Sequence, residues 1–172
     1  VDPDDLLVGN IQRHVLGASH LQDGKAKAIK DELEWKYPFI SVTPLKDRFE
    51  NLISSHQVDL TAFSLVIAAT GDATLELYIN REIRKLQDRP SIVFTWLEPL
   101  GIGGHALGIT PGGHGCLECL YRDPDDPQTP LYNRASFAAA DQYFGRSILA
   151  CGDTFTPYSS IDAAKTGALA TG

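Results

Sequence analysis

Hydrophobic and polar positions recur along this chain in two different periods, and the changes of period mark out alternating helices and strands. Residues 25–35 (Lys-Ala-Lys-Ala-Ile-Lys-Asp-Glu-Leu-Glu-Trp) are rich in helix formers, and Pro38 follows them, which predicts a helix that stops there. Residues 39–43 (Phe-Ile-Ser-Val-Thr) predict a short strand ended by Pro44, and residues 47–53 predict a short helix. Residues 63–69 form a continuous apolar run, the pattern of a strand buried on both faces of a parallel sheet. Over residues 73–86 the period returns to that of a helix, with Leu75, Ile79, Ile83 and Leu86 on one side. Residues 91–97 predict a further apolar strand. This order predicts an α/β fold with a mostly parallel sheet flanked by helices.

The pattern changes after Trp96. Residues 100–115 are crowded with glycine, from Gly101 to Gly115, and residues 122–134 are rich in Pro and Asp, which predicts an exposed, mobile loop. A last helix is expected over residues 159–170. No internal repeat or low-complexity tract interrupts the chain. Its 172 residues predict a single domain.

Composition narrows the possible functions. Hydrophobic residues make up 43% and charged residues 22%, as in ordinary globular proteins. The formal net charge is -7 and the pI about 5.1, which argues against a nucleic-acid surface. No apolar run approaches the 20 or so residues that a membrane span requires. The acidic start, Val1-Asp2-Pro3-Asp4-Asp5, lacks the pattern of a signal peptide. The three cysteines, Cys116, Cys119 and Cys151, do not suggest a disulfide framework, and a reducing cytoplasm suits them.

Candidate chemistry begins at the N-terminus. Asp2 and Asp4 are placed to accept hydrogen bonds from ribose hydroxyls, and Arg13 offers a bidentate grip on phosphate. Gly24-x-x-Lys27 opens the first predicted helix, where backbone amides also favour anions. Ala69-Thr70-Gly71-Asp72 ends the buried strand and opens the next helix, and Asp72 there could hold Mg²⁺ against phosphate oxygens. Each residue also has an ordinary structural reading: a solvated acid at Asp2, a surface ion pair at Arg13, helix decoration at Lys27 and a helix N-cap at Asp72.

Taken in order, Asp-x-Asp-x5-Asn-x-x-Arg, then Gly-x-x-Lys opening a helix, then an apolar strand ending in an acidic turn, the chain resembles the E1/ThiF/MoeB adenylating enzymes. The resemblance implies a Rossmann-like fold, ATP with Mg²⁺, and formation of an acyl-adenylate on the C-terminal glycine of a ubiquitin-like or sulfur-carrier protein. Asp2 and Asp4 would then serve the ribose, Asn10, Arg13 and Lys27 the phosphates, and Asp72 the Mg²⁺. The family's Thr-Asp-Asn stands here as Thr70-Gly71-Asp72. The sequence begins near the ribose aspartate, so the family's first strand, glycine loop and first helix are expected to be missing, with weak ATP binding by this chain alone.

The cysteines extend the resemblance. Cys116 and Cys119 form a Cys-x-x-Cys, a spacing at which two thiolates share a Zn²⁺. The second pair found in many relatives is absent, which leaves His114 or His105 as further ligands, or two cysteines half-buried in a strand. Cys151 lies in a polar Ala-Cys-Gly-Asp-Thr segment before the last helix. A helix start and small neighbours would lower its pKa and leave it reachable. Residues 122–150 then read as a crossover region leading to a catalytic Cys151, as in autophagy-type E1s and in the bacterial E1–E2 fusion proteins of CBASS anti-phage operons. There the thiolate takes the acyl group from AMP and holds the partner as a thioester. That resemblance implies a cGAS-like partner C-terminus, an E2-type cysteine domain as acceptor, and a homodimer. The glycines of Leu100-Gly101-Ile102-Gly103-Gly104-His105 suit an extended peptide tail lying close to backbone, or a mobile loop with His105 exposed. A sulfur-carrier adenylyltransferase holding zinc and a non-catalytic scaffold subunit are the alternatives.

Overall fold

The computed structural model describes residues 1–126, 128–138, 142, 144–147 and 154–171. The chain forms two compact units, Val1–Asp59 and Leu60–Gly172.

The first unit holds 3-10 turns over Val8–Arg13 and Ala18–His20, then α1 (Lys25–Lys36) and α2 (Phe49–Ser54). Leu6, Leu16 and Ala28 are buried together, with Ile29 packed against them. α1 is built of strong helix formers, and its surface carries two i,i+4 ion pairs, Lys27–Asp31 at 2.5 Å and Lys30–Glu34 at 2.6 Å. Pairs at this spacing favour the helix, though solvent and salt screen them at the surface. The strand expected over residues 39–43 is not formed. The Val42 N–H instead donates to the Glu34 carboxylate at 2.8 Å, and Phe39 is 84% exposed. The run begins in a turn, in which the Ile40 N–H donates to the Tyr37 carbonyl at 3.1 Å, and residues 40–43 join no strand.

The second unit is α/β. β1 (Leu65–Ala68), β2 (Ser91–Leu97) and β3 (Gly104–Ile109) form a mixed sheet in the order β1-β2-β3. β1 runs parallel to β2, with Ala68 opposite Phe94. β3 runs antiparallel to β2, with Phe94 opposite Leu107. β1 is an edge strand on which Leu65 and Ile67 are exposed, so its apolar run is covered on one face rather than both. α3 (Ala73–Lys85) connects β1 to β2, as expected of a parallel crossover. It buries Ile79 and Ile83, and two polar residues on the same side, Glu76 and Asn80.

A short α4 (Leu117–Tyr121) packs against α3. Cys116 is its N-cap, so the Cys-x-x-Cys sits at a helix start rather than in a strand. β4 (Arg146–Ser147) and β5 (Thr154–Phe155) pair antiparallel, and α5 (Ser160–Thr171) packs on β2 and β3. Among the described residues no helix is long and apolar enough to cross a membrane.

Candidate functional site

In the first unit, residues 4–6 lie against residues 22–25. The Lys25 N–H donates to the Asp4 carbonyl at 2.9 Å, and the Leu6 N–H donates to the Asp23 carbonyl at 2.9 Å. This pairing carries the Asp4 carboxylate to Lys25, which it meets at 3.0 Å. Lys46 meets Asp5 at 2.5 Å. Asp2 accepts the Asp4 N–H at 2.9 Å, so the two expected ribose acids share one turn. Asn10 Oδ1 accepts the Leu7 N–H at 3.0 Å and holds the turn of Val8–Arg13, which ends in Arg13. Lys27 is exposed and pairs with Asp31. The lysine that the fold brings to Asp4 is thus Lys25. Its signal in the sequence is that it directly follows the N-cap glycine, Gly24.

In the second unit, the turn after β1 is held by a buried acid. Glu76 Oε1 accepts the Thr70 hydroxyl at 3.0 Å and the Gly71 N–H at 3.2 Å, and Gly71 has φ +67°. Asp72 caps α3: its Oδ1 accepts the Thr74 and Leu75 N–H groups at 2.8 and 3.2 Å. Burial pushes the Glu76 carboxyl above its ordinary value of 4.5, against the opposing pull of Thr70 and Gly71. A raised carboxyl binds more protons in the folded state than in the unfolded one, so its contribution to stability falls as pH rises above 4.5 through the raised value. Glu76→Gln keeps the oxygen acceptor and cannot ionise. The stability of Glu76→Gln relative to wild type is therefore expected to increase with pH over that window, measured by urea unfolding at several pH values. A difference that stays flat with pH would contradict the assignment.

The same turn lines a pocket of about 380 Å³ at the C-terminal ends of β1 and β2, with Thr70, Gly71, Thr95, Trp96, Tyr158 and Thr166 on its walls. Ligands of open α/β sheets bind at strand C-termini. Trp96 carries a buried indole N–H with no partner among the described residues.

Beyond β2, the chain turns through Pro99–Gly101 into β3. Glu98 is 4% exposed. Its carboxylate meets His105 Nε2 at 2.8 Å and accepts the Ser136 hydroxyl at 3.1 Å and the Phe137 N–H at 3.3 Å. The His105 ring stacks between Trp96 and Phe137, with centroids at 4.7 and 4.6 Å. His105 is thus enclosed rather than exposed. The space beside the glycines is also taken: a Cβ on Gly103 would meet the Phe137 ring at 2.5 Å, and one on Gly104 would meet Thr166 Oγ1 at 1.9 Å. These glycines admit the protein's own side chains, not a passing peptide tail.

Cys116 and Cys119 face each other with their sulfurs 3.3 Å apart. Among the described residues no group of three or more His, Cys, Asp or Glu side chains gathers to hold a metal, and His105 is engaged by Glu98. The residues described around this pair therefore do not complete a tetrahedral zinc site. Cys151 lies outside the described residues, between β4 and β5 in the chain.

The sequence pattern of the ThiF family matches residues 1–163. This chain belongs to the ThiF family. Comparison with curated proteins finds no match. ThiF family members are generally E1-like adenylyltransferases that use ATP and Mg²⁺. The mixed sheet, its flanking helices and the crossover through α3 agree with the family's Rossmann-like fold.

Proposed function

We propose that this ThiF family chain activates the C-terminus of a small partner protein as an acyl-adenylate and then accepts the acyl group on Cys151. The observation that carries the reading is the start of α1. Lys25 and Lys27 occupy its first turn, which holds no acidic residue. Cations at a helix N-terminus oppose the helix dipole. That arrangement is favourable where a phosphate chain sits: the amides of the helix start face negative charge, and the exposed Lys27 exchanges Asp31 for a phosphate oxygen.

In this reading Asp2 and Asp4 take the ribose hydroxyls of the substrate ATP, with Asn10, Arg13 and Lys27 on its phosphates. The partner carboxylate attacks the α-phosphorus and pyrophosphate leaves, its developing charge met by Arg13 and Lys27. Asp72 fits Mg²⁺ as a single-oxygen ligand: Oδ1 is committed to the α3 cap, Oδ2 takes no part in it, and the residue is exposed. A Mg²⁺ bound there would neutralise phosphate charge while keeping most of its waters. The Cys151 thiolate then attacks the acyl carbon, AMP leaves, and a thioester remains. The likeness to the CBASS fusion proteins extends the reading to a cGAS-like partner, transfer to an E2-type cysteine domain, a homodimer and a cytoplasmic setting.

The test uses the intact protein with ATP and its candidate partner. Arg13→Ala is expected to slow pyrophosphate exchange by about 10- to 100-fold, the worth of a charged hydrogen bond of roughly 1.5–3 kcal/mol. Near-normal exchange would remove Arg13 from the phosphate site. Cys151→Ala is expected to retain exchange and lose the partner adduct that reducing agent cleaves. An adduct that survives this substitution would remove Cys151 from the reaction.

A further inference from the structure

Glu76 is 2% exposed and lies on the buried side of α3 with Ile79 and Ile83. As a stabiliser it is a poor choice, because burial opposes its charge. What the carboxyl adds is direction. Its Oε1 reaches from α3 to the turn after β1, where it accepts the Thr70 hydroxyl at 3.0 Å and the Gly71 N–H at 3.2 Å.

Packing does little to define that turn. Gly71 has φ +67°, and among the described residues nothing lies within 4 Å of the place a Cβ would take, so its backbone is restrained by hydrogen bonds alone. The Thr70 hydroxyl has one proton and two acceptors in reach, Glu76 Oε1 at 3.0 Å and the Asp72 carbonyl at 3.4 Å. The nearer acceptor takes the proton. The oxygen of the same hydroxyl then accepts the Asp72 N–H at 3.1 Å. Glu76 thus holds Gly71 directly and Asp72 through Thr70. Asp72 is tied at its amide and at Oδ1, which accepts the Thr74 and Leu75 N–H groups at 2.8 and 3.2 Å, so the placement of its second oxygen, Oδ2, follows from the turn.

We infer that Glu76 is a positioning residue for the adenylation step: through Thr70 and Gly71 it fixes the turn that presents Asp72 to the metal on the ATP phosphates. The inference rests on the reading of Asp72 as a Mg²⁺ ligand. Without the carboxyl, the Thr70 proton turns to the Asp72 carbonyl, the Asp72 N–H loses its acceptor, and Gly71 regains its freedom. A misplacement of about 1 Å at a site of this kind costs on the order of 100-fold in rate.

The test compares, by calorimetry on the intact protein, its affinity for ATP with Mn²⁺ and its affinity for ATP in a chelator. The ratio of the two isolates the metal contact from the rest of the nucleotide site. Asp72→Asn keeps the cap acceptor and loses the charge, and is expected to lower the ratio. Glu76→Leu and Thr70→Val are expected to lower it by about 10- to 100-fold, the usual effect of removing a group that orients a metal ligand, with affinity for metal-free ATP unchanged. Glu76→Gln keeps an acceptor for the Thr70 hydroxyl and is expected to retain most of the ratio. If Asp72→Asn lowers the ratio while folded Glu76→Leu keeps it, the inference is overturned and the Asp72 reading stands. It is also overturned if Glu76→Leu weakens metal-free ATP equally. Should Glu76→Leu not fold, Thr70→Val at its exposed position decides, and an unchanged ratio there overturns the inference. If Asp72→Asn leaves the ratio unchanged, the Asp72 reading falls and the inference with it.

Discussion

Replacing Glu98 with alanine is expected to destabilise the second unit by about 3 kcal/mol or more, because three groups lose a buried acceptor at once. The carboxylate is 4% exposed, and three groups depend on it: His105 Nε2, the Ser136 hydroxyl and the Phe137 N–H. Each orphaned group then carries its own desolvation cost of about 1–3 kcal/mol. Glu98→Gln keeps one acceptor oxygen and is expected to cost less than half as much. Trp96 stacks on His105, so its fluorescence in a Trp35→Phe background reports this unit separately. A urea-unfolding loss below about 1 kcal/mol for Glu98→Ala would show that the pair does not hold the hairpin as described.

Gly104→Ala is expected to cost about 3 kcal/mol or more, at or beyond the upper end of ordinary overpacking. The added carbon would lie 1.9 Å from Thr166 Oγ1, 2.8 Å from its Cγ2 and 2.9 Å from its Cβ. Rotation of the threonine cannot clear all three, because its Cβ does not move with χ1. α5 must therefore lift from β3, or β3 must bend. Thr166→Ala removes the two closest contacts, so the Gly104→Ala/Thr166→Ala double variant is expected to regain most of the loss. Close neighbours show such non-additivity by about 0.5–3 kcal/mol. Additive losses in this cycle would mean that α5 does not rest on Gly104.

Periodicity made the central elements legible. The apolar run of β2 has the bounds its composition predicts, and the two isoleucines of α3, Ile79 and Ile83, are buried as their spacing requires. The last helix begins one residue later than expected. β3 was hidden because it lies in a glycine-rich stretch and opens on Gly104, which has no side chain because Thr166 of α5 needs the space. Residues 39–43 look like a strand in isolation, but strand formation is decided by a partner edge, which no local pattern encodes. At the site, single residues were readable and their partners were not. Asp4 stood out, while Lys25, 21 residues away, became its partner only through the pairing of residues 4–6 with 22–25. Glu98 and His105 are seven residues apart, and only the turn over Pro99–Gly101 brings them face to face. The buried Glu76 fell within an amphipathic helix pattern that gives no reason to expect a carboxylate inside.

The β2–β3 hairpin grips the chain at two separated points. Phe137 is bound to it by its amide on Glu98 and its ring on His105, and Pro157 is bound by its carbonyl, which accepts the Leu100 N–H at 2.8 Å. One hairpin thus anchors two stretches of chain that are far apart in sequence, so a change in its turn over Pro99–Gly101 is felt by both at once.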